Sequence, residues 1–260
     1  MSEFVLAKLE IEETAATIAA DRDYIGHAVD AMKSARLDIE RMIRRDDFFL
    51  TTLEPYDPPA DCPTVIERMC RASRIAGVGP MATVAGAVGQ VAVEAMAAHG
   101  CSHGWVDNGG DIAMVLNEPV TVEVFCQPGA RTALALQIGP TGGEIIGICT
   151  SSGRLGHSIS FGDADASVVI AKDAILSDAL ATAIGNRVVD DSSLKTCFDG
   201  FTEAPGFRAG LVLRDGAVAM AGKVPKMTEV EHNFERVTAH SRMASPRFIG
   251  AASHVTEVET

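Results

Sequence analysis

The sequence predicts an α+β protein with a mostly antiparallel sheet. Segments with the composition of short strands follow one another in runs, only a few long helical segments interrupt them, and strict strand–helix alternation is absent. The chain has 260 residues, 47% of them hydrophobic and 22% charged, which is enough to bury a substantial core. We expect a single domain over residues 1–225, followed by a C-terminal tail over residues 226–260 that is poorly ordered or docked.

The first part of the chain predicts two strands and three helices. The first strand alternates apolar and polar residues, and the long helix places its apolar residues at helical spacing after Asp21, which suits a helix start. Prolines mark an irregular link, and Gly77 and Gly100 end the two later helices. In order, the predicted elements are strands over 3–11 and 14–20, a helix of about 22 residues, a link over 51–63, and helices over 64–76 and 81–98.

The second part predicts mainly strands and one long helix. Asn108–Asp111 reads as a turn between strands, Asp173 suits the N-cap of the helix, and Asp215-Gly216 reads as the turn of a hairpin. Each half of the chain holds a helix of small residues flanked by strands, which is compatible with two similar halves. The predicted elements are strands over 103–107, 111–116, 120–126, 132–138, 145–150, 156–161 and 166–171, a helix over 173–189, and a hairpin over 208–221.

Composition excludes several function classes. Lys and Arg number 22 against 35 Asp and Glu, so the net charge is −13, which disfavours binding to nucleic acid or to an anionic membrane surface. We find neither a signal peptide nor an apolar run of about 20 residues. The six cysteines form no C-x-x-C motif and no zinc spacing with histidine, so free thiols and a cytoplasmic location are expected.

Two glycine-containing segments are candidates for ligand binding. Gly77–Thr83 precedes a helix, where exposed backbone N–H groups favour an anion, although the same residues also suit a tight interhelical turn. Val106–Asp111 contains two glycines between carboxylates, and such a turn lets a ligand approach the backbone closely. An ordinary hairpin turn is the alternative interpretation of this second segment.

Two further segments carry polar side chains suited to chemistry. Thr150–Gly153 places hydroxyl groups beside Arg154 and His157, which favours phosphate binding and proton transfer, although a lone histidine is often structural. Asp178 and Thr182 are four residues apart, so a helix places them on one face. A carboxylate and a hydroxyl at that spacing are hard oxygen donors that suit Mg²⁺.

Taken in order, these segments resemble the ApbE family of Mg²⁺-dependent FAD:protein FMN transferases over about residues 75–190. Gly79–Thr83 is similar to that family's G-G-I-A-K-G, Val106–Ile112 to V-N-x-G-G-D-I, and Thr150–Gly153 to A-T-S-G. Gly156–Ile159 stands in the place of S-H-I-I-D-P, and Ser177–Ile184 is nearly A-D-A-L-A-T-A-L. The resemblance implies a T-fold-like α+β architecture with two similar halves, and a soluble, uncharacterised branch of the superfamily.

The resemblance also implies site residues. Carried over by position, Ala82 through its main-chain carbonyl, Asp178 and Thr182 would hold Mg²⁺, and His157 is the candidate catalytic residue. FAD or FMN is the implied cofactor, with a small phosphorylated ligand and an acceptor protein as partners, and a homo-oligomer is left open. The residues expected to bind the cofactor are Gly79, Thr83, Asn108, Gly109, Gly110, Asp111, Thr150, Ser151, Ser152 and Gly153.

The departures from the family pattern leave two functions open. Thr83 replaces the family's lysine, and Phe161–Asp165 replaces its D-P-x-T-G, so the flavin side of the site differs. The first hypothesis is a Mg²⁺-dependent enzyme that performs nucleotidyl transfer or pyrophosphate hydrolysis on a flavin nucleotide or related ligand. The alternative is a non-catalytic binding protein for flavin or nucleotide, or a structural, partner-binding protein with a degenerate site.

Overall fold

An antiparallel sheet of nine strands forms the centre of the protein. The computed structural model describes residues 3–11, 14–124, 132–153, 162–231 and 254–258. Within them the strand order is β10-β9-β8-β7-β4-β3-β2-β1-β12, and a second sheet has the order β11-β6-β5. The strands are β1 Phe4–Ile11, β2 Thr14–Asp21, β3 Gly104–Asn108, β4 Asp111–Val115, β5 Val120–Val124, β6 Thr132–Ile138, β7 Ile146–Ser151, β8 Ala166–Ala171, β9 Phe207–Arg214, β10 Ala217–Gly222, β11 Lys226–Glu231 and β12 His254–Val258.

The helices agree with the predicted long segments and add short ones. The predicted helix over 64–76 has the same bounds in the structure, and Gly77 follows it with φ of 73°, a left-handed conformation that favours glycine. The segment expected to start a helix at Met81 first forms a 3-10 helix, Pro80–Thr83. The α-helices are α1 Arg22–Arg45, α2 Phe48–Thr51, α3 Thr64–Ala76, α4 Val84–Ala98, α5 Ala174–Arg187 and α6 Asp191–Thr196.

The two faces of the large sheet are covered differently. The longer helices pack on one face and form a core with Leu9, Ile18 and Val169. On the other face the three-stranded sheet packs over the middle and second half of the large sheet, around Leu136 and Ile148. The structure is therefore three-layered where the second sheet is present, which confirms the predicted α+β class with mostly antiparallel strands.

The large sheet consists of two runs of four strands in chain order. The first run is β1 to β4 and the second is β7 to β10, and they join where β4 pairs with β7. Each run has helical structure between its second and third strands: α1 to α4 in the first and α5 with α6 in the second. This repetition agrees with the two similar halves implied by the sequence.

α4 is the most apolar helix of the core. Among the described residues, Pro80–Ala98 is long and apolar enough to cross a membrane by composition, with a mean hydropathy of 1.4 in its best window. The structure packs α4 against α1, α5 and the strands β3 and β4. These contacts are those of a core helix, so the composition of α4 is explained by its burial in the fold.

The remaining sequence predictions concern two strands, the C-terminal tail and the cysteines. The strand expected over 156–161 and the end of the one expected over 120–126 lie outside the described residues. β11 pairs with β6 and β12 with β1, so both of these strands lie within the segment expected to be a C-terminal tail. Five cysteines, at 62, 70, 101, 149 and 197, are free thiols, as expected from their spacing.

The crossing of α4 and α5 depends on glycine. A Cβ atom on Gly86 would lie 2.3 Å from the Ala174 carbonyl oxygen and 2.9 Å from the Asp178 Cβ. Gly147, in β7 beneath α5, also contacts the start of α5 closely, because a Cβ on Gly147 would lie 2.3 Å from the Ala174 Cα. The N-terminal turn of α5 therefore fits between the sheet and α4 only because these two residues have no side chain.

We expect Gly86→Ala to lower the free energy of unfolding by about 1–3 kcal/mol, because the added methyl meets backbone atoms that cannot move aside easily. Gly89→Ala, one turn later in α4, is the matched control. Its Cβ would lie 3.7 Å from the nearest atom, so this change should be neutral or stabilising by up to about 1 kcal/mol. Urea denaturation of both variants measures the difference, and equal stabilities would contradict the packing argument.

Candidate functional site

The four motifs found in the sequence meet at one end of the large sheet. Asp111, at the start of β4, lies opposite Cys149 in β7, and the Gly110 carbonyl accepts a hydrogen bond from the Thr150 N–H at 3.2 Å. α5 lies on β7 and β8 and packs against α4 and the 3-10 helix Pro80–Thr83. Residues far apart in sequence are therefore placed around the N-terminal ends of two helices.

Asp178 caps the N-terminal turn of α4 from the neighbouring helix. Its Oδ2 accepts a hydrogen bond from the Gly86 N–H at 2.9 Å, and the residue is 8% exposed. Gly86 is in the first turn of α4, where backbone N–H groups lack partners within the helix and the helix dipole is positive. The carboxylate thus has a structural role in joining α5 to α4, and its second oxygen is not used in this bond.

Gln90 makes the reciprocal contact from α4 to α5. Its Oε1 accepts a hydrogen bond from the Ala174 N–H at 2.8 Å, in the first turn of α5. Its Nε2 donates to Glu94 at 2.9 Å, and Glu94 in turn makes two 2.8 Å bonds with Arg68. The two helices therefore cap each other, and an ion pair orients one of the capping side chains. Sequence reasoning did not single out Gln90, although a buried glutamine in a helix of small apolar residues requires a partner.

Asp111, Asp178 and Cys149 form a group of acids, of which Asp178 and Cys149 are buried and Asp111 is half-buried. Burial is the largest cause that raises the pKa of Asp111 well above its usual range, and the negative charge of Asp178 raises it further. Burial raises the pKa of Asp178 to about 7, although the bond from Gly86 opposes the shift. Burial and the two carboxylates also raise the pKa of the Cys149 thiol, which donates to the Ala174 carbonyl at 3.3 Å. Together, the acids favour binding a proton or a cation.

The residues at this site fit a hard divalent cation. The side chains that shift the two carboxyl pKa values are acids and a thiol, and no lysine or arginine is among them in the described part of the chain. Thr182 is one helical turn beyond Asp178 and half-buried, and Ala82 is in the 3-10 helix against which α5 packs. Carboxylate, hydroxyl and carbonyl oxygens are the donors that Mg²⁺ takes. Among the described residues, no three or more His, Cys, Asp or Glu side chains are grouped to hold a metal ion, so a cation here would depend on Asp178 together with hydroxyl and carbonyl oxygens.

The two-glycine turn between β3 and β4 is held by its own side chains. Gly109 and Gly110 have φ values of 72° and 99°, which favour glycine. Asp107 accepts a hydrogen bond from the Gly110 N–H at 2.8 Å, and Asn108 donates its Nδ2 to the Ala85 carbonyl at 3.1 Å. Asn108, expected to bind the cofactor, thus fixes the turn to the start of α4, while Gly109 is exposed.

The hydroxyl-rich segment at the end of β7 lies next to this turn. Thr150, Ser151 and Ser152 are half-buried, and the Gly153 N–H donates to the Ala164 carbonyl at 3.0 Å. Opposite Ser151 is Ser167, which is fully buried and whose Oγ has no hydrogen-bond partner among the described residues. Sequence reasoning did not select Ser167, because only strand pairing places it beside this segment.

Gly79 and Thr83 have structural roles in the first motif. A Cβ on Gly79 would lie 2.0 Å from the Thr52 carbonyl oxygen, so this position requires glycine for packing. Thr83 is fully buried, and its hydroxyl donates to the Pro80 carbonyl at 2.7 Å. The side chain that replaces the family's lysine therefore bonds within its own turn. His157, expected to be catalytic, and Phe161 lie outside the described residues.

The fold and the arrangement of motifs define an ApbE-like protein. The structure of the ApbE protein from Thermotoga maritima matches with a TM-score of 0.54 over 92% of this chain and all of that chain, at 11% sequence identity. The flavinyl transferase ApbE from Pseudomonas stutzeri, in its apo form, matches with a TM-score of 0.50 over 83% of this chain and 95% of that one, at 12% identity. At these identities the likeness concerns the fold.

Within this class, the chain belongs to the AbpE bacteria family, whose pattern it matches over residues 5–197. Two relatives are much more similar in sequence than the solved structures are. A UPF0280 protein from Methanocella arvoryzae is 46% identical over 89% of this chain and 94% of its own length. A UPF0280 protein from Methanothrix thermoacetophila is 43% identical over 88% of this chain and 96% of its own length. The family resemblance expected from the motifs is thus confirmed.

The raised carboxyl pKa values predict how stability depends on pH without metal. The folded protein binds more protons than the unfolded chain between the ordinary aspartate pKa of 3.8 and the Asp178 value of about 7. Stability should therefore fall as the pH rises through this range. Asp178→Asn keeps an acceptor for the Gly86 N–H and removes the charge, so it should reduce this pH dependence and raise stability above pH 7.

Denaturation in the presence of a chelator, at about pH 5 and about pH 8, measures this effect. Glu229→Gln is the control, because it removes one negative charge from an exposed position on β11. If Asp178→Asn and Glu229→Gln had parallel pH profiles, the buried acids would not be the source of the dependence.

Proposed function

We propose that the protein is a Mg²⁺-dependent enzyme that cleaves the pyrophosphate bond of FAD or a related dinucleotide. From FAD, the FMN group would pass to the hydroxyl oxygen of an acceptor, either a protein side chain or water, while AMP leaves and the acceptor loses its proton. The observation that carries the proposal is the pair of the half-buried Asp111 and the buried Asp178, next to the crossing of α4 and α5. Two carboxylates, one of them bound to the N-terminal turn of α4, with hydroxyl groups from β7 close by, suit a cation together with phosphate oxygens. The fold shared with the flavinyl transferase of Pseudomonas stutzeri supports the choice of a flavin nucleotide.

Asp178, Thr182 and the Ala82 carbonyl would hold the cation, with Asp111 beside them. Bound Mg²⁺ would neutralise the charge of the diphosphate and polarise the bond to be cleaved. Asp178 has a fixed direction because the Gly86 N–H holds one of its oxygens. The glycine turn Gly109–Gly110 and the hydroxyls of Thr150, Ser151 and Ser152 would orient the nucleotide, and His157 is proposed to move the proton of the acceptor.

Because Thr83 stands where the family has a lysine, nucleotide binding and group transfer should be measured separately. Thr83 supplies no positive charge, and its hydroxyl is bonded to Pro80. A protein with a net charge of −13 repels an anionic nucleotide unless a cation compensates locally. Nucleotide affinity should therefore depend steeply on divalent metal, whether or not transfer follows. A cytoplasmic location and a protein acceptor remain predictions.

We expect FAD to bind in millimolar Mg²⁺ and to bind little in chelator, and AMP to be released when both are present. Fluorescence titration with FAD measures binding, and chromatography measures AMP. Asp178→Asn should weaken binding by about tenfold or more and abolish AMP release, because it removes a charged metal ligand. Thr182→Val should have a smaller effect of the same sign, while Glu229→Gln should leave both measurements unchanged.

The outcomes separate the hypotheses. Metal-dependent binding without AMP release from FAD would favour the non-catalytic binding protein. Absence of binding of FAD, FMN and ADP, with and without Mg²⁺, would contradict any nucleotide role. Undiminished Mg²⁺-dependent FAD binding in Asp178→Asn would place the metal elsewhere in the protein.

A further inference from the structure

A cleft opens at the start of β7, on the face of the large sheet opposite α5 and the acids. It has a volume of about 630 Å³ and lies where the end of β6 meets one end of the large sheet. Its lining includes Ile146, the first residue of β7, whereas the hydroxyl-rich segment begins at the other end of that strand. Five residues of extended chain separate Ile146 from Ser151, or roughly 17 Å. Ile146 also belongs to the core under the three-stranded sheet, on the face opposite α5.

The lining of the cleft combines an apolar floor with cations. Ile138, Ile146 and Ile170 come from three different strands, and Phe207 begins β9. Arg208 and Lys223 line the same cleft and are exposed. The volume is within the range of about 300–1,000 Å³ that is usual for small-molecule sites.

The backbone places the two cations next to each other. The Lys223 N–H donates to the Arg208 carbonyl at 3.0 Å. Gly222, the last residue of β10, has a φ of 71°, and a Cβ there would lie 2.3 Å from the same carbonyl oxygen. The chain therefore turns at a glycine to bring Lys223 beside Arg208, which concentrates positive charge in a protein whose net charge is −13.

Arg208 already binds a carboxylate within the protein. Its Nη2 contacts the Glu144 Oε2 at 2.8 Å, and both side chains are exposed, at 40% and 68%. An exposed pair of this kind contributes little to stability, so another carboxylate can replace Glu144 at small cost. The guanidinium has five N–H donors in a planar fork, which suits a carboxylate geometrically.

We propose that this cleft binds a small amphipathic carboxylate, with its apolar body on the isoleucine floor and its carboxylate at Arg208 and Lys223. An inorganic anion would contact the cations but make no apolar contact with the isoleucines. A neutral apolar molecule would use the floor alone and be indifferent to the cations. The proposal is independent of the nucleotide site, because it involves neither the same residues nor the same face of the sheet.

Titration calorimetry of the full chain with decanoate tests the proposal, with decanol and inorganic phosphate as comparison ligands. Decanoate should bind more tightly than either. The double variant Arg208→Gln and Lys223→Gln should weaken decanoate by about tenfold, as two exposed charge-assisted contacts are lost. The double variant Lys8→Gln and Lys195→Gln, which removes the same charge from exposed positions on β1 and α6, is the matched control.

Glu144→Gln provides an opposite change, because it removes a competing carboxylate from Arg208. It should tighten decanoate binding several-fold, which a merely structural role of these residues would not produce. In methyl NMR spectra, decanoate should shift the δ1-methyl signals of Ile138, Ile146 and Ile170 but not that of Ile175 in α5. Failure of decanoate to bind, equal binding of decanol, or binding unchanged in the Arg208 and Lys223 double variant would overturn the proposal.

Discussion

The mutual capping of α4 and α5 is the constraint on which the candidate site depends. Gly86 gives its N–H to Asp178 of the other helix, and Ala174 gives its N–H to Gln90. These bonds satisfy backbone groups that would otherwise be buried without partners, a situation that costs about 1–3 kcal/mol each. They require the close approach that Gly86 and Gly147 permit, so packing and hydrogen bonding at the crossing are inseparable.

The same crossing explains why acids are tolerated in the core. The N-terminal turn of α4 donates the Gly86 N–H to Asp178, and the dipole of that helix favours negative charge there. This contribution is smaller than the desolvation that raises both pKa values, since each carboxyl still titrates above its ordinary range. The structural function of capping α4 needs only one oxygen of one carboxylate. Neither the second oxygen of Asp178 nor the placement of Asp111 beside it is explained by capping, and the proposed cation would account for both.

Local sequence patterns predict most of the fold, and long-range contacts account for what they miss. The helix over 64–76 is predicted with its observed bounds, because its apolar spacing and Gly77 are local signals. The pairing of β12 with β1 joins residues about 250 positions apart, and no local pattern encodes such a partner. α6 is not predicted, since a helix of six residues has too few turns to show a period.

In the candidate site, too, local patterns predict some residues and long-range contacts determine the others. Asp178 and Thr182 are predicted on one helical face from their spacing alone, and the structure places them on α5. Gln90, Cys149 and Ser167 are not selected by sequence reasoning, because their significance depends on which strand or helix lies opposite. Two residues predicted to bind the cofactor, Asn108 and Thr83, make hydrogen bonds to the backbone of their own surroundings. A motif therefore predicts a region of the fold, whereas the bonding of each polar atom follows only from the tertiary structure.

The exchange of lysine for Thr83 changes the electrostatics of the site. A lysine would contribute one permanent positive charge, whereas Thr83 is fully buried and bonded to Pro80. The positive potential that reaches Asp178 then comes from the N-terminal turn of α4, which amounts to about half an elementary charge. This half-charge is smaller than the charge of two carboxylates, to which the diphosphate of the proposed ligand would add. If the proposed site binds a nucleotide, it should therefore depend more on a divalent cation than a site that retains the lysine. Removal of the cation should affect ligand binding before it affects the fold, because the capping bonds of Gly86 and Ala174 do not involve it.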